Sequence, residues 1–295
     1  MQKKTITLSN KENYAYLEYG SKDHDTLLLV HGNMSSGVHY EPLIDLLKTD
    51  FHILAPDLRG FGDSSYGKPI ESLDDFADDL RLLLDKLDID TVHFVGWSTG
   101  GGIGMKFAAK YPTYIKKLIL VESASYRGYP IFEKNEAYQP ILGKLYKSKE
   151  AMAKDPVQVL PIQQAIEQND SEFIKKIWTS VIYNVNVPNE TSFNRYITET
   201  LKQRNLIDVD WALMTFNMSD SSNGVVKGDG SIKAVKAPVL SVWGKKDFVI
   251  PEPMFKETVD ALSQVTTHVF DEGSHSPITD VPDELAGIIK DFIKG

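Results

Sequence analysis

The sequence contains no cysteine, and this absence excludes several kinds of chemistry at once. None of the 295 residues can form a disulfide, act as a catalytic thiolate or ligate a metal ion through sulfur. Positive charge is also scarce, with 32 basic against 41 acidic residues and a formal net charge of −9. Proteins that bind nucleic acid need a basic surface to neutralise phosphates, so nucleic acid is not an expected partner.

Long hydrophobic runs are missing as well. No apolar stretch approaches the ~20 residues that a membrane-spanning helix needs, and the basic start of the chain continues into alternating residues rather than a signal-peptide core. We therefore expect a cytoplasmic protein without a membrane partner, present as a monomer or homodimer. With 42% hydrophobic residues, the composition suits one large globular domain, or one domain that carries an insertion.

Short apolar runs alternate with helical patterns in the first part of the chain and again near its end. Continuous apolar character, as expected for strands that are buried on both faces, is found at 26–30, 51–55, 91–95 and 118–121. Strand character resumes at 239–242 and 266–270. Alternation of strands and helices predicts parallel pairing. The expected fold class is α/β, with a mostly parallel sheet covered by helices.

The alternation stops between residues 125 and 230. This stretch shows no strand pattern, is rich in aromatic residues, and ends in turn-forming small and polar residues. We interpret it as a helical cap inserted into a core that consists of residues 1–124 and 231–295.

One short motif points to nucleophilic catalysis. Gly96-Trp97-Ser98-Thr99-Gly100 matches the G-x-S-x-G pattern, which is weak evidence by itself because short patterns recur by chance. Here the motif follows a predicted strand and opens a predicted helix, which is the setting that exposes a nucleophilic serine. A serine hydroxyl is a poor nucleophile until a base removes its proton. The motif therefore predicts Ser98 as the nucleophile and requires a base elsewhere.

Two residues after later strands fit the roles of base and orienting acid. Of the seven histidines, His275 lies in the loop after the last predicted strand, whereas three others fall inside strands. Asp247 follows the strand at 239–242, at the same expected edge of the sheet. A carboxylate on the second ring nitrogen fixes the tautomer of such a base. We predict His275 as the base and Asp247 as the residue that orients it.

The reaction also needs hydrogen-bond donors for the transition-state oxyanion and a pocket for the substrate. The N–H of Thr99, directly after the nucleophile, is one expected donor. Asn33, in the loop after the strand at 26–30, is the second, with Met34 as the alternative. Neither a metal nor a cofactor is expected. The predicted pocket residues are Trp97, Trp178, Trp211 and Phe216.

These motifs together resemble the α/β-hydrolase fold superfamily. The resemblance rests on His31-Gly32, Asp57-Leu58-Arg59-Gly60-Phe61-Gly62-Asp63-Ser64, the motif around Ser98, Gly244-Lys245-Lys246-Asp247 and Gly273-Ser274-His275. They occur in the family's order and span the core, leaving only the predicted cap unmatched. The pattern is similar to the subgroup of small-ester carboxylesterases, enol-lactonases and cofactor-free haloperoxidases, and its triad carries over as Ser98, Asp247 and His275.

The resemblance implies a serine hydrolase that cleaves a small, partly apolar carboxylic ester through an acyl-enzyme. Opening of a lactone or enol-lactone uses the same triad and remains an alternative. A small-molecule receptor of the same fold, with low turnover, is a further alternative from another class. The predicted cap carries no pattern that identifies a substrate.

Overall fold

A mostly parallel sheet of eight strands lies at the centre of the structure, a computed structural model that describes residues 2–295. These residues form ten strands: β1 (Lys4–Thr7), β2 (Asn13–Tyr19), β3 (Thr26–Val30), β4 (His52–Pro56), β5 (Val92–Trp97), β6 (Ile115–Val121), β7 (Phe132–Lys134), β8 (Pro140–Leu145), β9 (Val239–Gly244) and β10 (Val265–Phe270). The sheet order is β1-β2-β4-β3-β5-β6-β9-β10. The first two pairings, β1–β2 and β2–β4, are antiparallel and the rest are parallel. The predicted fold class is confirmed.

Helices cover both faces of this sheet. Residues 2–295 form the α-helices α1 (Glu41–Leu47), α2 (Leu73–Lys86), α3 (Thr99–Lys110), α4 (Lys149–Met152), α5 (Leu160–Glu167), α6 (Ser171–Ile177), α7 (Glu190–Thr200), α8 (Leu206–Thr215), α9 (Glu252–Ala261), α10 (Pro277–Asp280) and α11 (Pro282–Lys294). Within this described part, none of the helices combines the length and apolar character that crossing a membrane requires.

Two hydrophobic cores result, one on each face, because successive side chains of a strand point to opposite sides. In β5, Phe94 packs into the core formed with α2 and α3, whereas its neighbour Val95 packs into the core formed with α1 and α11. Both side chains are fully buried. This explains why the central strands read as continuous apolar runs rather than as alternating ones.

The segment between β6 and β9, which we call the inserted segment (residues 125–230), departs from the prediction in one respect. It is mainly helical, with α4 to α8, but it also contains an antiparallel hairpin of β7 and β8. The expectation that it lacks strands is therefore wrong at this point. Most of β8 is exposed, so no buried face imposes a period of two on its sequence. The hairpin depends instead on its turn, where Asn135 Oδ1 accepts hydrogen bonds from the N–H groups of Ala137 and Gln139.

The strand order brings distant parts of the chain together at one edge. Strands β5, β6, β9 and β10 are neighbours and parallel, so the loops that follow them emerge on the same side of the sheet. Those loops carry Ser98, Glu122, Asp247 and His275. The inserted segment leaves the sheet from this edge, after β6.

Candidate active site

Ser98 occupies a sharp turn between β5 and α3. Its backbone has φ 56° and ψ −118°, a combination that side-chain-bearing residues rarely adopt. The flanking glycines are required by close backbone approaches. A Cβ on Gly96 would lie 2.3 Å from the carbonyl oxygen of Gly100, and a Cβ on Gly100 would lie 2.1 Å from that of Val30. The turn leaves Ser98 half-buried between the fully buried Trp97 and Thr99, so its hydroxyl remains accessible at the sheet edge.

His275 and Asp247 form a buried hydrogen-bonded pair. His275 Nδ1 lies 2.8 Å from Asp247 Oδ2, and the other carboxylate oxygen accepts from the N–H groups of Val249, at 2.6 Å, and Ile250, at 2.9 Å. Burial opposes ionisation of Asp247, but the nearby His275 and these hydrogen bonds hold the pKa of Asp247 below its usual value. The carboxylate is thus charged and fixed in place, which is what orienting a histidine base requires.

The loop of His275 is tied to the turn of Ser98. The indole Nε1 of Trp97 donates a hydrogen bond of 2.7 Å to the carbonyl oxygen of His275. On the other side, the N–H of Ser274 donates to Asp280 Oδ2 at 2.7 Å. Ser98 and His275 line the same cavity, although no hydrogen bond joins their side chains within residues 2–295. Such contacts are often long before a substrate binds and tighten in the Michaelis complex.

The loop after β3 packs directly against Ser98. A Cβ on Gly32 would lie 2.9 Å from Ser98 Cβ, so the backbone of this loop approaches Ser98 closely. Among the described residues the N–H of Asn33 makes no hydrogen bond, and that of Thr99 begins α3, where no helical partner exists. The N–H of Met34 donates to Asn33 Oδ1 and Gln203 Oε1. This arrangement favours Asn33 over Met34 as the second oxyanion donor.

His31 anchors the same loop. Its Nε2 accepts a hydrogen bond of 3.0 Å from the N–H of Leu58, and its Nδ1 lies 2.8 Å from the carbonyl oxygen of Gly32. Burial lowers the pKa of His31 to about 3. The ring is therefore neutral, with Nδ1 as the donor and Nε2 as the acceptor, and it serves to hold the loop in place.

Glu122 is a site residue that sequence reasoning missed. It follows β6 directly, has φ 44°, and is completely buried. One of its carboxyl oxygens lies within 4.8 Å of ligand-type atoms of both Asp247 and His275, yet among residues 2–295 neither oxygen has a hydrogen-bond partner of good geometry. Burial first, and the charge of Asp247 second, raise the pKa of Glu122 well above its usual value. Its position directly after β6, at the sheet edge that carries Ser98, Asp247 and His275, was the signal that could have revealed it.

A cavity of about 350 Å³ opens beside Ser98 and His275. Two of the predicted pocket residues, Trp97 and Trp178, line it, but Trp211 and Phe216 do not. Phe216 is buried in the core, where it meets α3 at Gly102, and Trp211 packs against a separate cluster in the inserted segment. The reason is helical geometry, because α8 turns Asp210 and Leu213, three residues apart, towards the cavity and so turns Trp211 away.

The rest of the cavity wall comes mainly from apolar side chains of the inserted segment. None of them was predicted individually; they are Tyr129, Ile131, Val157, Ile162, Ile177, Val181, Ile182 and Leu213. Two polar residues of the inserted segment, Asp210 and Gln158, also line this wall. An apolar cavity with a few polar groups is the usual form of a small-molecule site.

Two groups of side chains each bring three potential metal ligands within 4.8 Å of one another. The first is the group of Glu122, Asp247 and His275 described above. The second consists of Asp57, Asp63 and Glu199, whose carboxylates all contact Lys3 Nζ, at 2.6, 2.9 and 2.5 Å. Lys202 Nζ also contacts Asp63 and Glu199, at 2.8 and 2.7 Å, so two ammonium groups compensate these three carboxylates. Lys3, directly before β1, thereby links the start of the chain to the loop after β4 and to α7.

Comparison with known proteins gives this geometry a family context. A family model described as alpha/beta hydrolase fold matches residues 25–281. The chain is 27% identical over 297 residues to Lipase 1 of Psychrobacter immobilis, covering 98% of this chain and 83% of that protein. It is 24% identical over 285 residues to a cis-3-alkyl-4-alkyloxetan-2-one decarboxylase of Shewanella oneidensis, covering 91% of this chain and 82% of that protein.

Solved structures show the same fold at lower identity. The enol-lactonase of Burkholderia xenovorans superposes with a TM-score of 0.74 at 15% identity, covering 99% of this chain and all of the other. The similarity extends over the inserted segment as well as the sheet. At this identity the likeness concerns the fold, and the chemistry has to be argued from the residues at the sheet edge.

Proposed function

Since this chain belongs to the α/β-hydrolase family, we propose that it is a serine hydrolase that cleaves small, partly apolar carboxylic esters. One observation carries the proposal: Ser98 on its strained turn and His275, which is paired with the buried Asp247, line the same apolar cavity. The similarity to a protein named Lipase 1 also supports an ester substrate. The inserted segment then acts as a cap that selects the substrate.

The chemistry follows from the groups at the sheet edge. Ser98 Oγ attacks the ester carbonyl while Nε2 of His275 removes its proton, and Asp247 stabilises the imidazolium through Nδ1–H. The N–H groups of Thr99 and Asn33 bind the oxyanion. The proton on Nε2 passes to the leaving alcohol, which leaves an acyl-enzyme. A water molecule, deprotonated by His275, then attacks the acyl group, releases the carboxylic acid and restores Ser98.

Replacement of the nucleophile tests this proposal most directly. In Ser98→Ala we expect kcat for p-nitrophenyl esters to fall at least about 10⁴-fold, because no acyl-enzyme can form. A fluorophosphonate probe should label the wild type at Ser98, as located by mass spectrometry. The matched control is Ser219→Ala, which removes a buried hydroxyl that donates to Asn217 Oδ1 at 2.7 Å; neither residue lines the cavity.

The same screen separates the alternatives. Lactones and enol-lactones are assayed beside the esters, since ring opening uses the same acyl transfer. Repeated turnover supports an enzyme, whereas a single covalent labelling event without turnover supports a receptor. Labelling at another residue, or a Ser98→Ala variant that keeps most of its activity, contradicts the proposal. Thermal melting of both variants shows whether a loss of activity reflects unfolding.

A further inference from the structure

Asp210 is the one acidic side chain that the inserted segment places on the cavity wall. It lies on α8 and is 8% exposed, with Leu213 beside it on the same helix face. Around it the wall is mainly apolar. A carboxyl group in such surroundings carries a large desolvation cost if it is ionised and a smaller one if it is neutral. The proposed reaction has no use for this group, so its presence needs another explanation.

Only one of the two carboxyl oxygens of Asp210 has a partner within residues 2–295. Asn33 Nδ2 donates to Asp210 Oδ1 at 2.9 Å. The side chain of Asn33 is itself fixed by a second hydrogen bond, because its Oδ1 accepts from Gln203 Nε2 at 2.8 Å. The carboxyl group of Asp210 is therefore bonded to the side chain of Asn33, the residue whose backbone N–H is the proposed oxyanion donor. Asp210 Oδ2 is free to contact a substrate in the cavity.

Burial and the nearby charge of Asp155 favour the neutral form of Asp210. Burial raises the pKa of Asp210 to about 8, against the opposing effect of the Asn33 hydrogen bond, and the negative charge of Asp155 adds to the rise. Asp155 is itself paired with Lys134 Nζ at 2.7 Å. The other titratable groups on the cavity wall are His275 and Tyr129, and burial raises the pKa of Tyr129 to about 12, so its phenol is neutral.

A neutral carboxyl group in this position has a defined hydrogen-bonding capacity. Because Oδ1 accepts from Asn33, the proton belongs on Oδ2, which can then donate into the cavity. We propose that Asp210 is a specificity residue that donates a hydrogen bond to a second oxygen of the substrate, an ether, hydroxyl or keto oxygen outside the scissile ester group. The preferred substrates are then apolar esters that carry one such oxygen in the acyl chain. This inference rests on the proposed esterase function.

The proposed hydrogen bond from Asp210 is tested with pairs of esters that differ only in one acyl-chain position, where a CH₂ group is replaced by an oxygen atom. The probes are p-nitrophenyl pentanoate, p-nitrophenyl 3-methoxypropanoate and p-nitrophenyl ethoxyacetate, which have chains of equal length. The measured quantity is the ratio of kcat/KM for each oxygen-bearing ester to that for pentanoate. Comparing this ratio between variants cancels the intrinsic reactivity of each ester. At pH 7 we expect it to be about 3- to 10-fold higher in the wild type than in Asp210→Leu, which corresponds to one neutral hydrogen bond.

The pH dependence of the ratio distinguishes recognition from a structural role. As the pH rises through about 8, Asp210 loses its proton and can no longer donate, so the wild-type ratio should fall to that of Asp210→Leu. Asp210→Asn, whose amide still donates, should keep a raised ratio that is constant between pH 6 and pH 9.5. This variant also decides the question if Asp210→Leu does not fold.

Each remaining outcome overturns the inference in a recognisable way. If the ratio is the same in wild type, Asp210→Leu and Asp210→Asn at every pH, while Ser98 is still labelled by fluorophosphonate, Asp210 recognises nothing and the proposed function stands. If the ratio rises with pH and a trimethylammonium-bearing ester is preferred, Asp210 binds a cation instead. If no ester is turned over and Ser98 is not labelled, the proposed function fails and the inference fails with it.

Discussion

The cavity has two walls that are built in different ways. The sheet-edge wall carries Ser98 and His275, with Asp247 bonded to His275 but outside the lining, and backbone hydrogen bonds and close glycine contacts hold it in place. The opposite wall belongs to the inserted segment and is formed by side chains such as Trp178, which is 2% exposed and packs among other aromatic rings.

This difference separates chemistry from selectivity. A wall fixed by backbone geometry accepts few residue types, because a Cβ on Gly96 or the loss of an Asp247 hydrogen bond displaces the reacting groups. A wall fixed by packing accepts many combinations of apolar side chains of similar total volume. Substitutions in the first wall should therefore slow every substrate, whereas substitutions in the second should change the order of preference among substrates.

The largest expected effect distinguishes two buried carboxyl groups that lie close to His275 at the sheet edge. Asp247→Asn should lower kcat about 10⁴-fold, because an amide cannot stabilise the imidazolium and favours the wrong tautomer of His275. Glu122→Gln is the matched control. Burial and the charge of Asp247 keep Glu122 neutral, so a neutral amide of the same shape should change kcat less than 10-fold.

Steady-state kinetics at pH 7 to 8 with one p-nitrophenyl ester are sufficient for this comparison. Equal losses in the two variants would mean that Glu122 shares the role of Asp247 and that the charges are assigned wrongly. Thermal melting confirms that both variants are folded, and labelling of Ser98 confirms that the nucleophile is still accessible.

A smaller effect is expected on the wall of the inserted segment. Trp178→Leu enlarges the cavity, so the acyl-chain length with the highest kcat/KM should increase, since each additional buried CH₂ contributes about 0.8 kcal/mol. We expect a relative gain of roughly 10-fold for the longer chains. Trp211→Leu, on the same segment but away from the cavity, should leave the chain-length profile unchanged. Identical profiles for both variants would show that this wall does not select the substrate.

The difference between the two walls also explains which parts of the fold and the candidate site could be predicted from the sequence. The fold class and the placement of Ser98, Asp247 and His275 at one edge were predictable, because strand alternation and the glycines around Ser98 leave few alternatives. The meeting of His275 and Asp247 at 2.8 Å follows from parallel neighbouring strands whose loops emerge on one side. Their catalytic roles stay predictions until they are measured.

The inserted segment was much less predictable. Its aromatic residues fit a core or a cavity equally well, and only the helical phase of α8 decides that Asp210 faces the cavity and Trp211 does not. The hairpin of β7 and β8 is set by a local turn rather than by a hydrophobic period. One available signal was Asp210 itself, a charged residue within the apolar sequence of α8.

The last expected effect concerns stability instead of activity and tests whether Asp210 is neutral on the wall of the inserted segment. Asp210 has a folded-state pKa of about 8, whereas in the unfolded chain its pKa is near the usual ~3.9. Between these values the folded state retains a proton that the unfolded state releases, so the contribution of Asp210 to stability decreases as the pH rises. An asparagine does not titrate. The free energy of unfolding of Asp210→Asn, relative to wild type, should therefore increase between pH 5 and pH 7, by about 2–3 kcal/mol.

Urea denaturation at pH 5, 6 and 7 measures this difference directly. Asp220→Asn is the matched control, since Asp220 is exposed and its ion pair with Lys233 lies on the surface. The control should show a difference from wild type that hardly varies with pH. If Asp210→Asn behaves in the same way, Asp210 is ionised in the folded protein, and the wall of the inserted segment then carries a fixed negative charge instead of a neutral hydrogen-bond donor.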